Sequence, residues 1–262
     1  MKHISNIIFI FSHYDDEFGL FNVIEKYTKS NKKVFVFYLT NGLTKENIDN
    51  KKKAHQRKKE SIKILLKLGV EKNNIVFMGN QFNIPVYYLY RHLEKIFCNL
   101  NKFLKNLKGE SIIYTHAWEG GNEDHDSSYI ITKKILSKNM VKQAFQFSQY
   151  HCQNIFLYPF KIQNLIPSKS KIFKCRCGTI NKIRYIFFLF SYISQCYLWL
   201  PLYPFIIYRI LINDYGNVKI ISKNLNISKP HSGKLLYEKL RKNKFYELKN
   251  FFLKFLKISK SH

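Results

Sequence analysis

The feature that most constrains this chain is a run of five apolar residues, Ile7-Ile8-Phe9-Ile10-Phe11, which ends abruptly in Ser12-His13-Tyr14-Asp15-Asp16-Glu17. An unbroken apolar run of this length, without polar alternation, predicts a strand covered on both faces, as in a parallel sheet flanked by helices. The polar residues at its end then fall at the carboxyl edge of the sheet, where doubly wound folds keep their sites.

The pattern recurs along the first half. Residues 34–39 of KKVFVFYLTNG read as a second buried strand closed by Thr40, Asn41 and Gly42, and residues 18–30 between the two strands have helical spacing. Residues 51–68 are charged on one side and apolar on the other, which predicts a surface helix ending near Gly69. NIVFMG at 74–79 supplies a third strand, residues 87–107 a long amphipathic segment, and residues 111–115 a fourth strand. Strands alternating with helices predict an α/β fold: a Rossmann-like, doubly wound, mostly parallel sheet. A chain of 262 residues suits one domain over 1–262, with a Rossmann-like core at 1–135 carrying the site and a more irregular, aromatic-rich elaboration at 136–262.

In the second half, residues 185–208 carry no charge and are long enough to span a bilayer, but Ser191, Ser194, Gln195, Pro201 and Pro204 interrupt them. The preferred reading is a core helix as far as Leu200 followed by a proline-bent loop, with an interfacial patch as the next alternative. The tail at 238–257 mixes leucines and aromatics with many lysines, the pattern of a helix docked by its apolar stripe or of one resting on an anionic membrane surface.

With 44 Lys+Arg against 17 Asp+Glu, the formal charge of +27 predicts attraction to polyanions. The basic residues are dispersed, however, and no nucleic-acid-binding motif accompanies them, so specific nucleic-acid recognition is not expected. Five irregularly spaced cysteines fit reduced thiols in a cytosol. The apolar opening of the chain is too short for a signal peptide, which adds to the expectation of a cytoplasmic protein, peripheral at most to the membrane.

Against that basic background, three acids and a histidine within five residues call for a reason. A catalytic zinc takes nitrogen and oxygen ligands from three protein groups and keeps one position open. His13 and Asp16, three apart on a turn leaving a strand, can face one point, and His125 in NEDHD after the fourth strand can join them as third ligand. Asp15, between the first two, is placed to act as general base on water held there, which predicts metal-assisted hydrolysis of an amide or ester. The competing reading makes HYDDE a helix cap, since acids are favoured at helix N-termini.

SHYDDE resembles the Ala-His-Pro-Asp-Asp-Glu signature of the LmbE-like, PIG-L type N-acetylglucosaminyl deacetylases, a zinc-dependent, Rossmann-like family. FYLTNG at 37–42, RKKESIKILLKLGV at 57–70 and THAWEGGNEDHD at 115–126 are similar to three further family segments, and YISQ at 192–195 and GKLLYE at 233–238 match weaker ones. The resemblance implies zinc, or iron on similar ligands, held by His13, Asp16 and His125, with Asp15 as base. It also implies an N-acetylated amino sugar, glycan or glycolipid as substrate. Arg57 falls where the family contacts the sugar; a surface ion pair with Glu60 or another acid is the alternative.

One departure matters. Asn122, followed by Glu123, stands where the family has the first histidine of His-Pro-Asp-His, a residue that stabilises the oxyanion and helps protonate the leaving amine while an aspartate, here Asp124, orients it. Asn122 keeps a hydrogen-bond donor but does not titrate near neutral pH. His116, six residues upstream, is the available substitute imidazole. The departure also motivates a second expectation, a catalytically weakened relative that binds a sugar; the reading of HYDDE as a cap leaves a third, a basic membrane- or nucleic-acid-associated protein without catalysis.

Overall fold

The computed structural model describes residues 4–47, 50–155, 160–168, 170–241 and 244–257. Its first half builds a Rossmann-like unit from β1 (Ile4–Phe11), α1 (Phe21–Thr28), β2 (Lys33–Tyr38), α2 (Lys51–Lys67), β3 (Ile75–Phe77), the single turn α3 (Met78–Gln81), α4 (Leu93–Asn106), β4 (Glu110–His116) and α5 (Glu123–Ser137). There follow β5 (Gln143–Phe147), β6 (Tyr150–His151), β7 (Lys161–Ile162), β8 (Ile172–Phe173), α6 (Thr179–Leu189), α7 (Cys196–Trp199), α8 (Tyr203–Leu211), β9 (Val218–Ile220), α9 (Leu236–Leu240) and α10 (Phe245–Lys257).

Seven strands form one sheet in the order β3-β2-β1-β4-β5-β9-β8. The first five are parallel, and β9 and β8 add antiparallel pairs at one edge. The α/β, mostly parallel sheet expected from the sequence is therefore present. β1 shows why its sequence is apolar without alternation: Ile7, Phe9 and Phe11 enter the core on one face while Ile8 and Ile10 enter the core on the other. The first core is covered by α1, α2, α6 and α8, and the second by α4, α5 and α10. Since β1 lies between β2 and β4, the segments leaving β1 and β4 open side by side at the switch point of strand order.

Several elements differ in detail from expectation. The helix expected over 18–30 is a 3-10 turn at Asp16–Leu20 that continues into α1. Of the segment 87–107 only α4 is α-helical, preceded by a 3-10 turn at Leu89–Arg91. α2 ends as expected, with Gly69 following at φ +85°, a conformation that glycine adopts without steric cost.

The helix expected to reach Leu200 stops at Leu189, and α8 resumes beyond Pro201 with a proline in its first turn. The break lets Tyr192 and Gln195 turn inward to the carboxylates of Glu17 and Asp15. Among the described residues no helix is long and apolar enough to cross a membrane. The tail docks: α10 buries Phe245, Leu248, Phe252, Phe255 and Leu256 in the second core.

Candidate active site

β1 delivers His13 to Glu17 onto the carboxyl edge, and the first turn of α5 brings Asp124 and His125 beside them. His13 N–H donates to Asp16 Oδ2 at 2.6 Å, which folds the turn so that the two side chains converge, His13 Nδ1 lying 3.6 Å from Asp16 Oδ2. His125 Nε2 is 3.3 Å from Asp16 Oδ1. Potential ligand atoms of His13, Asp16 and His125 all lie within 4.8 Å of one another. Neither ring nitrogen of buried His125 has a hydrogen-bond partner among the described residues. An unpaired buried imidazole nitrogen is costly, and a cation held with Asp16 and His13 would satisfy Nε2, the nitrogen facing Asp16, so the donor set fits a divalent ion of the zinc type.

The electrostatics agree with that fit. Burial, followed by the neighbouring His116, pushes His125 down to about 3, leaving a neutral imidazole. Burial opposes charge on Asp16, but His116, His125 and His13 hold its carboxyl well below the usual range. Burial likewise opposes charge on His13, yet Asp16 and Asp124 raise it well above the ordinary value. Asp124 Oδ2 sits 2.9 Å from His13 Nε2 and accepts from the Tyr87 N–H at 2.6 Å, while Oδ1 accepts from the Leu89 N–H at 3.0 Å. A carboxylate on the far nitrogen fixes the tautomer of a ligating histidine. Asp124 thus meets His13 rather than the side chain at 122.

Asp15 projects into the same space from a backbone at φ 101°, a strained conformation for a residue with a side chain. Its N–H donates to Ser61 Oγ at 3.0 Å and Glu17 Oε2 at 3.2 Å, and its Oδ2 accepts from Gln195 Nε2 at 2.7 Å. Burial and then the adjacent Asp16 raise the Asp15 pKa well above the carboxylate range, with Arg57 pulling the other way. Glu17 accepts from Tyr38 and Tyr192, each at 2.7 Å, and belongs to the packing beneath the turn.

His13, Asp15, Asp16, Arg57, Asn122 and Tyr150 open onto one pocket of about 400 Å³, walled on the far side by Gln195, Leu198, Trp199 and Leu202. Arg57 forms no ion pair with Glu60, whose carboxylate takes Gln56 and Ser194 instead. Its Nε is buried without a hydrogen-bond partner among the described residues.

His116 does not line this pocket, in contrast to the expectation of a substitute imidazole there. It is wholly buried behind Asp16, with Nε2 3.0 Å from Asp16 Oδ2, and its ring stacks on His125 at 3.8 Å between centroids. Its place at the end of β4 points it into the sheet edge, beneath the carboxylate.

Asn122 caps α5 through Oδ1, which accepts from Asp124 N–H at 2.8 Å, and its Nδ2 donates to Tyr150 Oη at 3.3 Å. The Tyr150 hydroxyl has no acceptor of its own among the described residues, so its proton is available to the pocket. Glu119 fixes Tyr150 by accepting its N–H at 3.0 Å, together with the N–H of Gln149 and the hydroxyl of Ser148. A side chain at Gly121 would meet the Tyr150 carbonyl oxygen at 1.9 Å, so only glycine admits this approach. Glu123, where the resemblance expects proline, is fully buried and held by Arg241 at 2.6 to 3.0 Å. Tyr150, Gln195 and Arg241 were not singled out from sequence; for Gln195 the only signal was its place in YISQ.

Residues 8–136 match the family model described as GlcNAc-PI de-N-acetylase, PIG-L. No curated protein matches by sequence. Among solved structures, the N,N'-diacetylchitobiose deacetylase of Pyrococcus horikoshii superposes with a TM-score of 0.61 at 16% identity, over 88% of this chain and 89% of that one. A triple mutant of a deacetylase of the teicoplanin biosynthetic pathway gives 0.62 at 12% identity, over 82% and 96%. The A40926 pseudoaglycone deacetylase Dbv21 gives 0.59 at 13% identity, over 82% and 95%. At these identities the structural likeness establishes the fold.

Proposed function

Because the chain belongs to the PIG-L, LmbE-like deacetylase family, we propose that it is a metal-dependent hydrolase removing the N-acetyl group from an amino sugar carried on a glycan or glycolipid, acting at the cytoplasmic side. The observation that carries this reading is the convergence of His13, Asp16 and buried His125, with His13, Asp15 and Asp16 opening onto one pocket.

In this mechanism His13, Asp16 and His125 hold zinc, or iron on the same donors, and Asp124 keeps His13 in its ligating tautomer. Bound there, such an ion supplies Lewis acidity, polarising the amide carbonyl and acidifying water. Asp15, poised upward in pKa by burial, takes the proton of the water that attacks the carbonyl carbon. Asn122 Nδ2 and the Tyr150 hydroxyl donate to the oxyanion that develops. The C–N bond then breaks, the proton taken up by Asp15 passes to the leaving amine, and acetate and the free amino sugar result. With no titratable group at 122, Asp15 serves both transfers. Arg57 contacts the sugar from the pocket wall.

The test is metal content together with acetate release from N,N'-diacetylchitobiose and from N-acetylglucosaminyl lipids, for wild type and His125→Ala. About one zinc or iron per chain, lost in the variant along with acetate release, is the expected result. A chain that takes up no metal even when zinc is offered would leave HYDDE as a helix cap and overturn the reading. A second reading, a weakened relative that retains a sugar without turning it over, is favoured by Asn122 alone and predicts metal and sugar binding without acetate release.

A further inference from the structure

The segment from α6 to the end of α8 is two-faced. Tyr185, Phe188, Leu189, Trp199, Tyr203, Ile206 and Ile210 are buried in the first core. The opposite face shows Ile180 (82% exposed), Phe187 (68%), Tyr197 (96%), Leu200, Tyr208 and Leu211 to solvent. Ile180, Ile183 and Phe187 recur at helical spacing along the outer side of α6, so the exposure is a continuous stripe rather than scattered residues. Soluble monomers rarely show contiguous apolar surface on this scale, and where they do it marks an interaction face.

Positive charge predominates around this face, where Arg184 of α6 and Arg209 of α8 are paired with Glu25 and Asp214. No Asp or Glu occurs between Asp126 and Asp214. α2 runs beside the segment with Lys59, Lys63 and Lys67 exposed at four-residue spacing, and Lys67 Nζ lies over the Phe188 ring at 5.5 Å. Lys174 and Arg176 are exposed just before α6. A second copy of the chain meeting this face by two-fold symmetry would set lysines against lysines. An anionic bilayer instead offers negative headgroups to the lysines and an acyl boundary to the aromatics. The helices are too short to span, so the face rests in the interface.

We infer that the outer face of α6, α7 and α8, bordered by the lysines of α2, docks the protein on an anionic lipid bilayer. Leu198 and Leu202 belong both to this segment and to the pocket wall. Docking therefore sets the pocket mouth at the headgroup level, where the sugar of a lipid-linked substrate lies. Only that last step rests on the proposed function; the docking itself rests on the surface.

The experiment is co-sedimentation of the full chain at low salt with vesicles of phosphatidylcholine alone and with about a quarter phosphatidylglycerol. Wild type and an Ile180→Ser/Phe187→Ser/Tyr197→Ser variant, which keeps every charge, are compared, with His125→Ala as a third chain. Expected are partition of wild type and His125→Ala onto the anionic vesicles and a loss of at least about tenfold in the triple variant. Three results would each overturn the inference: wild type staying in solution, unchanged binding by the triple variant (which would mean charge alone), or a stable dimer of wild type that the triple substitution dissolves. Because His125→Ala is expected to lack metal and activity, its binding separates a failed docking surface from a failed catalytic reading.

Discussion

Gln195 donates through Nε2 to Asp15 Oδ2 at 2.7 Å, joining positions 180 apart in sequence. The bond orients the one carboxylate of the turn that faces the pocket without belonging to the candidate metal-ligand group of His13, Asp16 and His125. Asp15→Asn is therefore expected to keep the fold and the metal while lowering kcat by about 10²- to 10⁴-fold. Gln195→Ala should give a smaller loss, about tenfold, through misorientation. Single-turnover rates with metal content measured in parallel decide the point; near-normal turnover in Asp15→Asn would remove it from the role of base.

Tyr150 and Asn122 stand together on one side of the pocket, joined by the bond from Asn122 Nδ2 to Tyr150 Oη. Tyr150→Phe deletes the only free hydroxyl proton of the pair and is expected to lower kcat by about 10²- to 10³-fold with little change in KM. Asn122→His should raise kcat in the wild-type background and restore part of the loss in Tyr150→Phe. No gain in either background would place the oxyanion elsewhere.

Glu119 makes stability depend on pH. Burial raises its pKa from 4.5 to about 8, so the folded chain holds this proton more tightly than the unfolded one. The stability so contributed is complete below about pH 4.5 and is lost as pH rises toward 8, at about 1.4 kcal/mol per pH unit. Glu119→Gln keeps an acceptor for the Gln149 and Tyr150 N–H groups and should flatten that slope. Denaturant midpoints at pH 5 and pH 8 for both chains measure the difference; equal slopes would mean that Glu119 is ionised when folded.

The Glu123–Arg241 pair lends itself to a double-mutant cycle. Arg241→Met leaves a charge at a fully buried carboxylate and is expected to cost about 3 kcal/mol or more. Glu123→Gln with Arg241→Met should cost less than Arg241→Met alone. Additive costs, from urea unfolding, would show that the two side chains do not couple.

Sequence reading reached the parts of the site that lie close to strand ends. His13, Asp15 and Asp16 follow β1 directly, and His125 sits one turn into the helix after β4, so alternation of strands and helices sufficed to bring them to one edge. Tyr150, Gln195 and Arg241 escaped it because each meets the site through a loop whose path depends on packing far along the chain. His116 went astray for a related reason: a residue at the end of a strand lies at the right edge, but its register decides whether it faces the cleft or the layer beneath. The segment 185–208 shows the limit of composition. Absence of charge predicts an apolar environment, and burial in a core and exposure on one face read alike until the helix is packed.

The pocket has two kinds of wall. The floor comes from residues 13–16, inside the stretch that matches the family model, while Tyr150, Leu198, Trp199 and Leu202 come from beyond it. The two lengths of chain that wall the pocket are thus free to diverge at different speeds. Substitutions along the distal stretch can reshape that wall while the cluster after β1 stays as it is, except at Tyr192 and Gln195, whose grip on Glu17 and Asp15 ties the two histories together.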